Sequence, residues 1–113
     1  MDKVEFDNIL HNIVSRVVGL DPNCEIFIFG SFVEGRFTGE SDLDVAVIIA
    51  DGSDRKKFIE SIYKPGVLSK WPIDLIVMSK SDYNKKKEVG GVAFDINEAG
   101  VQLYPNWKLN GTK

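Results

Sequence analysis

Gly30-Ser31-Phe32-Val33-Glu34-Gly35-Arg36-Phe37-Thr38-Gly39-Glu40-Ser41-Asp42-Leu43-Asp44 is the stretch on which the reading of this chain turns. Apolar runs flank it, residues 26–29 before and 45–50 after. Both are rich in Ile, Val and Phe and bounded by Gly, Ser and Asp, so both read as strands. The layout is strand, glycine turn, polar loop, strand, with two acids where the second strand begins. Side chains alternate along a strand, which puts Asp42 and Asp44 on one face and Leu43, Val45 and Val47 on the other. Two carboxylates about 7 Å apart along a strand repel each other, and a divalent cation removes that cost. Magnesium favours a few carboxylates together with water and substrate phosphate oxygens over a closed protein cage. Gly30 lets the backbone come close to a ligand. Ser31 offers an N–H and a hydroxyl to a phosphate oxygen, and a helix starting there would add its free N–H groups. The pattern suits a triphosphate and its metal ions.

A third acid fits the scheme. Asp74 sits in Trp71-Pro72-Ile73-Asp74-Leu75-Ile76-Val77-Met78, a further expected strand. It is the odd polar residue in an apolar run, which is costly unless it is paired, metal-bound or at the rim of the sheet. If that strand lies beside the one carrying Asp42 and Asp44, three carboxylates meet at one end of the sheet. Three acids can serve two metal ions about 4 Å apart, which clamp the attacking and leaving oxygens of a phosphoryl transfer. Each piece alone has a plainer reading. Gly30-Ser31 is then a strand-ending turn, Asp42 and Asp44 a solvated loop end or a helix cap, and Asp74 an acid at a sheet edge. The weight rests on the conjunction and its spacing.

The segment Gly30–Asp44 resembles the signature of the DNA polymerase β-like nucleotidyltransferase superfamily. The short chain and the order of elements are similar to its minimal nucleotidyltransferase branch, which is often the antitoxin half of a pair with a HEPN-domain toxin. Gly35, Ser41, the Asp74 strand and the closing Ile96-Asn97-Glu98-Ala99-Gly100-Val101-Gln102-Leu103-Tyr104 match as well. The resemblance implies an α+β, two-layer nucleotidyltransferase fold like the polymerase β palm, a mixed sheet with helices packed on one side. It implies that Gly30 and Ser31 hold nucleotide phosphates, with Arg36 the only cation of the loop. Asp42 and Asp44 would bind two Mg2+ ions. Asp74 would bind the catalytic one and help an acceptor hydroxyl lose its proton. ATP would be the donor, AMP the transferred group and pyrophosphate the leaving group. The expected acceptor is a partner protein, a HEPN-type toxin, or a second copy of the chain. Many minimal members carry basic residues just after Gly-Ser, where this chain has Phe32, Val33 and Glu34. Two other readings stay open: a non-enzymatic binding module of the same fold, and transfer onto a small molecule.

The remaining features bound these readings. The 113 residues, 43% hydrophobic and 27% charged, suggest one soluble domain with a modest core. That domain is expected over residues 1–105, with a loose tail at 106–113. A net charge of −3 argues against a dedicated nucleic-acid binder, which would be basic. No apolar run reaches membrane-spanning length, and the mixed charges at the start do not form a signal peptide. One cysteine, Cys24, allows no internal disulfide and agrees with a reducing cytoplasm; a buried inert thiol is the reading for it. His11 is the only histidine, a surface or boundary residue and too little for a zinc site. Lys85-Lys86-Lys87 reads as a solvated helix face, while Trp71 and Trp107 suit a core, an interface or a base stack. Phe6, Ile9, Leu10, Ile13, Val14, Val17 and Val18 recur at helical spacing, predicting a helix over 4–18 stopped by Gly19 and the Asp21-Pro22-Asn23 turn. A helix capped by Ser53 or Asp54 through residue 63 follows the second strand. Beyond the third strand come a helix from Ser79 or Ser81, a Gly90-Gly91 break, a helix to residue 98 and a strand at 101–104.

Overall fold

The structure is a computed structural model that describes residues 3–30, 33, 42–63 and 73–105. The elements run α1 (Lys3–Leu20), β1 (Glu25–Phe29), β2 (Leu43–Ile49), α2 (Arg55–Tyr63), β3 (Ile73–Ser79), α3 (Lys80–Lys86), α4 (Gly91–Ala99) and β4 (Val101–Tyr104). Four strands form one sheet in the order β3-β2-β1-β4. β1 pairs antiparallel with β2 and with β4, while β2 and β3 are parallel. A parallel pair needs a crossover, and α2 supplies it. The sheet is therefore mixed, as expected.

Period-2 alternation divides the sheet into two unlike faces. On the first, Ile26 and Ile28 of β1, Leu43, Val45, Val47 and Ile49 of β2, and Ile73 and Val77 of β3 are all buried. Ile9, Leu10, Ile13 and Val17 of α1 and Phe58 and Ile62 of α2 close over them. The spacing within α1 is that of one apolar stripe, and each such side chain contributes about 1.5–3 kcal/mol when fully buried. On the second face, Phe27, Ala46 and Ile48 lie under Tyr83 of α3 and Ala93 and Ile96 of α4. The expected one-sided helix layer thus describes α1 and α2 only, because two short helices cover part of the other face.

Local chemistry sets the ends of the elements. α1 runs past Gly19 to Leu20, since the Asp21 backbone N–H still finds the Val17 carbonyl at 3.0 Å. Glycine weakens a helix without forbidding it. The chain then turns at Asp21, whose carboxylate accepts from the Asn23 N–H at 2.9 Å. Asp54 caps α2, accepting from the Lys56 N–H at 3.0 Å, and Ser79 caps α3, accepting from the Asp82 N–H at 3.1 Å. The hydroxyl of Tyr104 donates to the Pro22 carbonyl at 2.9 Å, tying edge strand β4 to the turn after α1. Among the described residues no helix is long and apolar enough to cross a membrane. The expected tail at 106–113, Trp71 and Trp107 lie outside the described residues.

Candidate active site

The ends of β1, β2 and β3 meet on the second face, beyond the cover of α3 and α4. Phe29 pairs with Asp44 across β1 and β2, and Asp44 stands beside Asp74 across β2 and β3. The result is a row of three residues on adjacent strands about 4.8 Å apart. Asp74 is exposed, and Asp44 and Phe29 are half-buried. The strand adjacency expected from the lone acid in its apolar run is present. Leu43 and Ile73, each one residue earlier, are buried on the opposite face and fix this register.

Asp44 is wedged into its place. Gly30 has φ +80°, which glycine adopts without strain. A Cβ built on Gly30 would lie 2.1 Å from Oδ2 of Asp44 and 3.1 Å from its Cγ. The Asp44 carboxylate therefore lies against the Gly30 Cα, in space that any other residue would fill. The Gly30 carbonyl accepts from the Val33 N–H at 3.1 Å, so the chain turns sharply after β1. The sequence suggested Gly30 for close approach to a ligand, and its close neighbour within the protein is the acid itself.

The electrostatics follow from this crowding. The Asp44 carboxyl is held above the usual carboxylate range, first by burial, then by the charges of Asp74 and Asp42, and by a side-chain hydrogen bond with Asp74. A proton shared between two carboxyls is one answer to their repulsion, and a hard cation is the other. Asp42 is the exposed residue just before β2, within electrostatic range of Asp44. The sequence reading placed all three acids together. The structure brings Asp44 and Asp74 into contact and leaves Asp42 at the rim, and no three His, Cys, Asp or Glu side chains of the described residues close into a ligand set. The donors present, carboxylates with no imidazole or thiolate, fit an oxygen-seeking ion such as Mg2+ that keeps its remaining positions for water and phosphate. Ser31 and Arg36 lie outside the described residues.

Sequence reasoning missed two neighbours of the pair. Phe29 sits in the acid row, which only the register reveals. Tyr63, the last residue of α2, donates its hydroxyl to the carbonyl of Ile73 at 2.7 Å, at the peptide that leads into Asp74. Nothing in periodicity marks that bond. The buried thiol, the surface histidine and two of the three run lysines are found as expected. Cys24 is 2% exposed, and burial foremost pushes its thiol up to about 11. His11 is exposed, as are Lys85 and Lys86, whereas Lys87 is half-buried with its ammonium 5.7 Å from the centre of the Tyr83 ring.

A mixed sheet with a glycine turn and paired acids at one end is an arrangement compatible with the nucleotidyltransferase fold. The chain matches the model of the nucleotidyltransferase domain family over residues 10–98, and it belongs to that family. Its chemistry is accordingly the transfer of a nucleotidyl group. Neither a curated protein nor a solved structure matches the chain.

Proposed function

We propose that the chain is a metal-dependent adenylyltransferase, moving AMP from ATP to a hydroxyl side chain of a partner protein, and that it serves as the antitoxin of a HEPN-type toxin. The observation that carries the metal-dependent part is the contact of Asp44 with Asp74, with Gly30 leaving room for it. A like-charged pair at the rim of a sheet costs stability, and a cation gives it a purpose. The partner rests on the resemblance of the Gly30–Asp44 segment.

In this reading Asp44 and Asp74 would hold the ions, and Asp42 would complete the set. When bound, the ions neutralise triphosphate charge and make the acceptor hydroxyl more acidic. Gly30 and Ser31 take the phosphates on backbone and hydroxyl donors, and Arg36 adds the loop's one positive charge. The acceptor oxygen bonds to the α-phosphorus, and the bond from that phosphorus to the bridging oxygen breaks, releasing pyrophosphate. The hydroxyl proton passes to the Asp74 carboxylate, which is exposed and so reachable from the acceptor side. Phe29 walls the row on the β1 side.

The test is to incubate the protein with ATP, Mg2+ and a purified HEPN partner, then to map adducts by mass spectrometry. An adenylyl group on a partner hydroxyl, absent with Asp44→Asn, is the expected result. Neutralisation of the toxin by Asp44→Asn without any adduct would instead mean that the chain works as a binding module.

A further inference from the structure

The edge strand that carries Asp74 poses a mechanical problem. β3 has a strand neighbour on its β2 side only, among the described residues. Asp74 is its second residue, and strand ends fray first. Without a cation, the ionised pair would push this end outward. The buried Ile73 side chain and the ladder to β2 hold it from two directions. Tyr63 supplies a third. Tyr63 is 47% exposed, so it adds little to the core. Its hydroxyl is nonetheless spent on one backbone oxygen, that of Ile73, at 2.7 Å.

That oxygen belongs to the peptide unit joining Ile73 to Asp74. A peptide is planar, and the plane contains the oxygen of one residue and the Cα of the next. Fixing the Ile73 carbonyl therefore restrains the direction in which Asp74 leaves the backbone. The anchor itself is firm, because Ile62 next to Tyr63 is fully buried and Phe58 one turn earlier is 4% exposed. Resting on the reading of Asp44 and Asp74 as a metal site, we propose that Tyr63 is a positioning residue that fixes the Asp74 strand end, so that the two carboxylates stay at a metal-binding separation.

The molecule contains its own control. Tyr104 donates an equivalent hydroxyl–carbonyl bond, to Pro22 at 2.9 Å, on the other edge strand and away from the acids. Tyr63→Phe and Tyr104→Phe each delete one such bond and no ring. Manganese(II) alone, titrated into the native protein, both variants and Asp44→Asn, reads the site without any turnover. Tyr63→Phe is expected to weaken manganese binding about tenfold, as loss of a supporting partner behind a ligand does, and to speed amide exchange at Asp74. Tyr104→Phe is expected to bind manganese as the native chain does. Equal affinity in the two Phe variants, with unchanged exchange at Asp74, would overturn the role of Tyr63. Native protein that binds manganese no better than Asp44→Asn would overturn the metal reading itself, a result distinct from the first.

Discussion

One face of one sheet carries two opposite solutions to the same problem. At one end of the second face, Phe27, Ala46 and Ile48 are apolar and lie under α3 and α4. Two residues along the same strands, the positions of Ala46 and Phe27 give way to Asp44 and Phe29, with Asp74 alongside. Alternation keeps all of these side chains on one side, so the change cannot come from orientation. It comes from cover: where the helices stop, carboxylates become affordable, and crowding them there makes a place for charge of the opposite sign. The covered end holds the fold, and the open end gathers the acids.

Moving the acid by one alternation would break this comparison hardest. Ala46 is fully buried, and Ala46→Asp would place an unpaired carboxylate beneath Ala93 and Ile96. A loss of about 3–5 kcal/mol is expected, a large share of a small domain's stability, read by urea unfolding. Retained stability would mean that α4 does not seal that end.

Gly30→Ala attacks the open end. The new methyl group must displace the Asp44 carboxylate, and the left-handed conformation adds about 1–2 kcal/mol of strain. Nucleotidyl transfer should fall about 100-fold or more with a modest drop in Tm. Full activity in Gly30→Ala would show that the wedge does not position Asp44.

Asp44→Asn sharpens the contrast through pH. Folding raises the pKa of the Asp44 carboxyl, so the folded state binds its proton more tightly than the unfolded chain. Stability from this group therefore falls as pH rises through the ordinary carboxylate range to the raised value. The Asn variant lacks that loss. In chelator it should be more stable than the native chain at neutral pH, and the advantage should vanish as pH falls below the ordinary carboxylate range. Denaturant midpoints at both pH values decide it; a gain independent of pH would point to a cause other than repulsion.

The smallest effect lies far from either end. Gly19 is helical, exposed and has nothing near a built Cβ. Gly19→Ala should stabilise by about 0.4–1 kcal/mol and leave transfer unchanged, as thermal melts and an activity assay would show.

Much of this was legible before any coordinates, for identifiable reasons. Helical spacing in α1 and alternation in β2 and β3 are local, and they located the core face. The lone Asp74 in an apolar run announced that its strand end was special. The pairing of Asp44 with Asp74 needed only β2 and β3 to be neighbours, which they are. What stayed hidden depends on contacts across the chain. The wedge of Gly30 against Asp44, the cover of α4 over Ala46 and the bond from Tyr63 to Ile73 join residues whose spacing in sequence has no period. Asp42 shows the reverse: alternation placed it with Asp44, but it precedes the strand and stands exposed at the rim.

The most direct test of the central claim uses ATP labelled on the α-phosphate, a parallel sample labelled on the γ-phosphate, Mg2+ and a host lysate. The native chain should transfer the α-label only, with pyrophosphate released, and Asp44→Asn should transfer none. Transfer of the γ-label, or α-label transfer that survives in folded Asp44→Asn, would contradict nucleotidyl transfer at the Asp44–Asp74 pair.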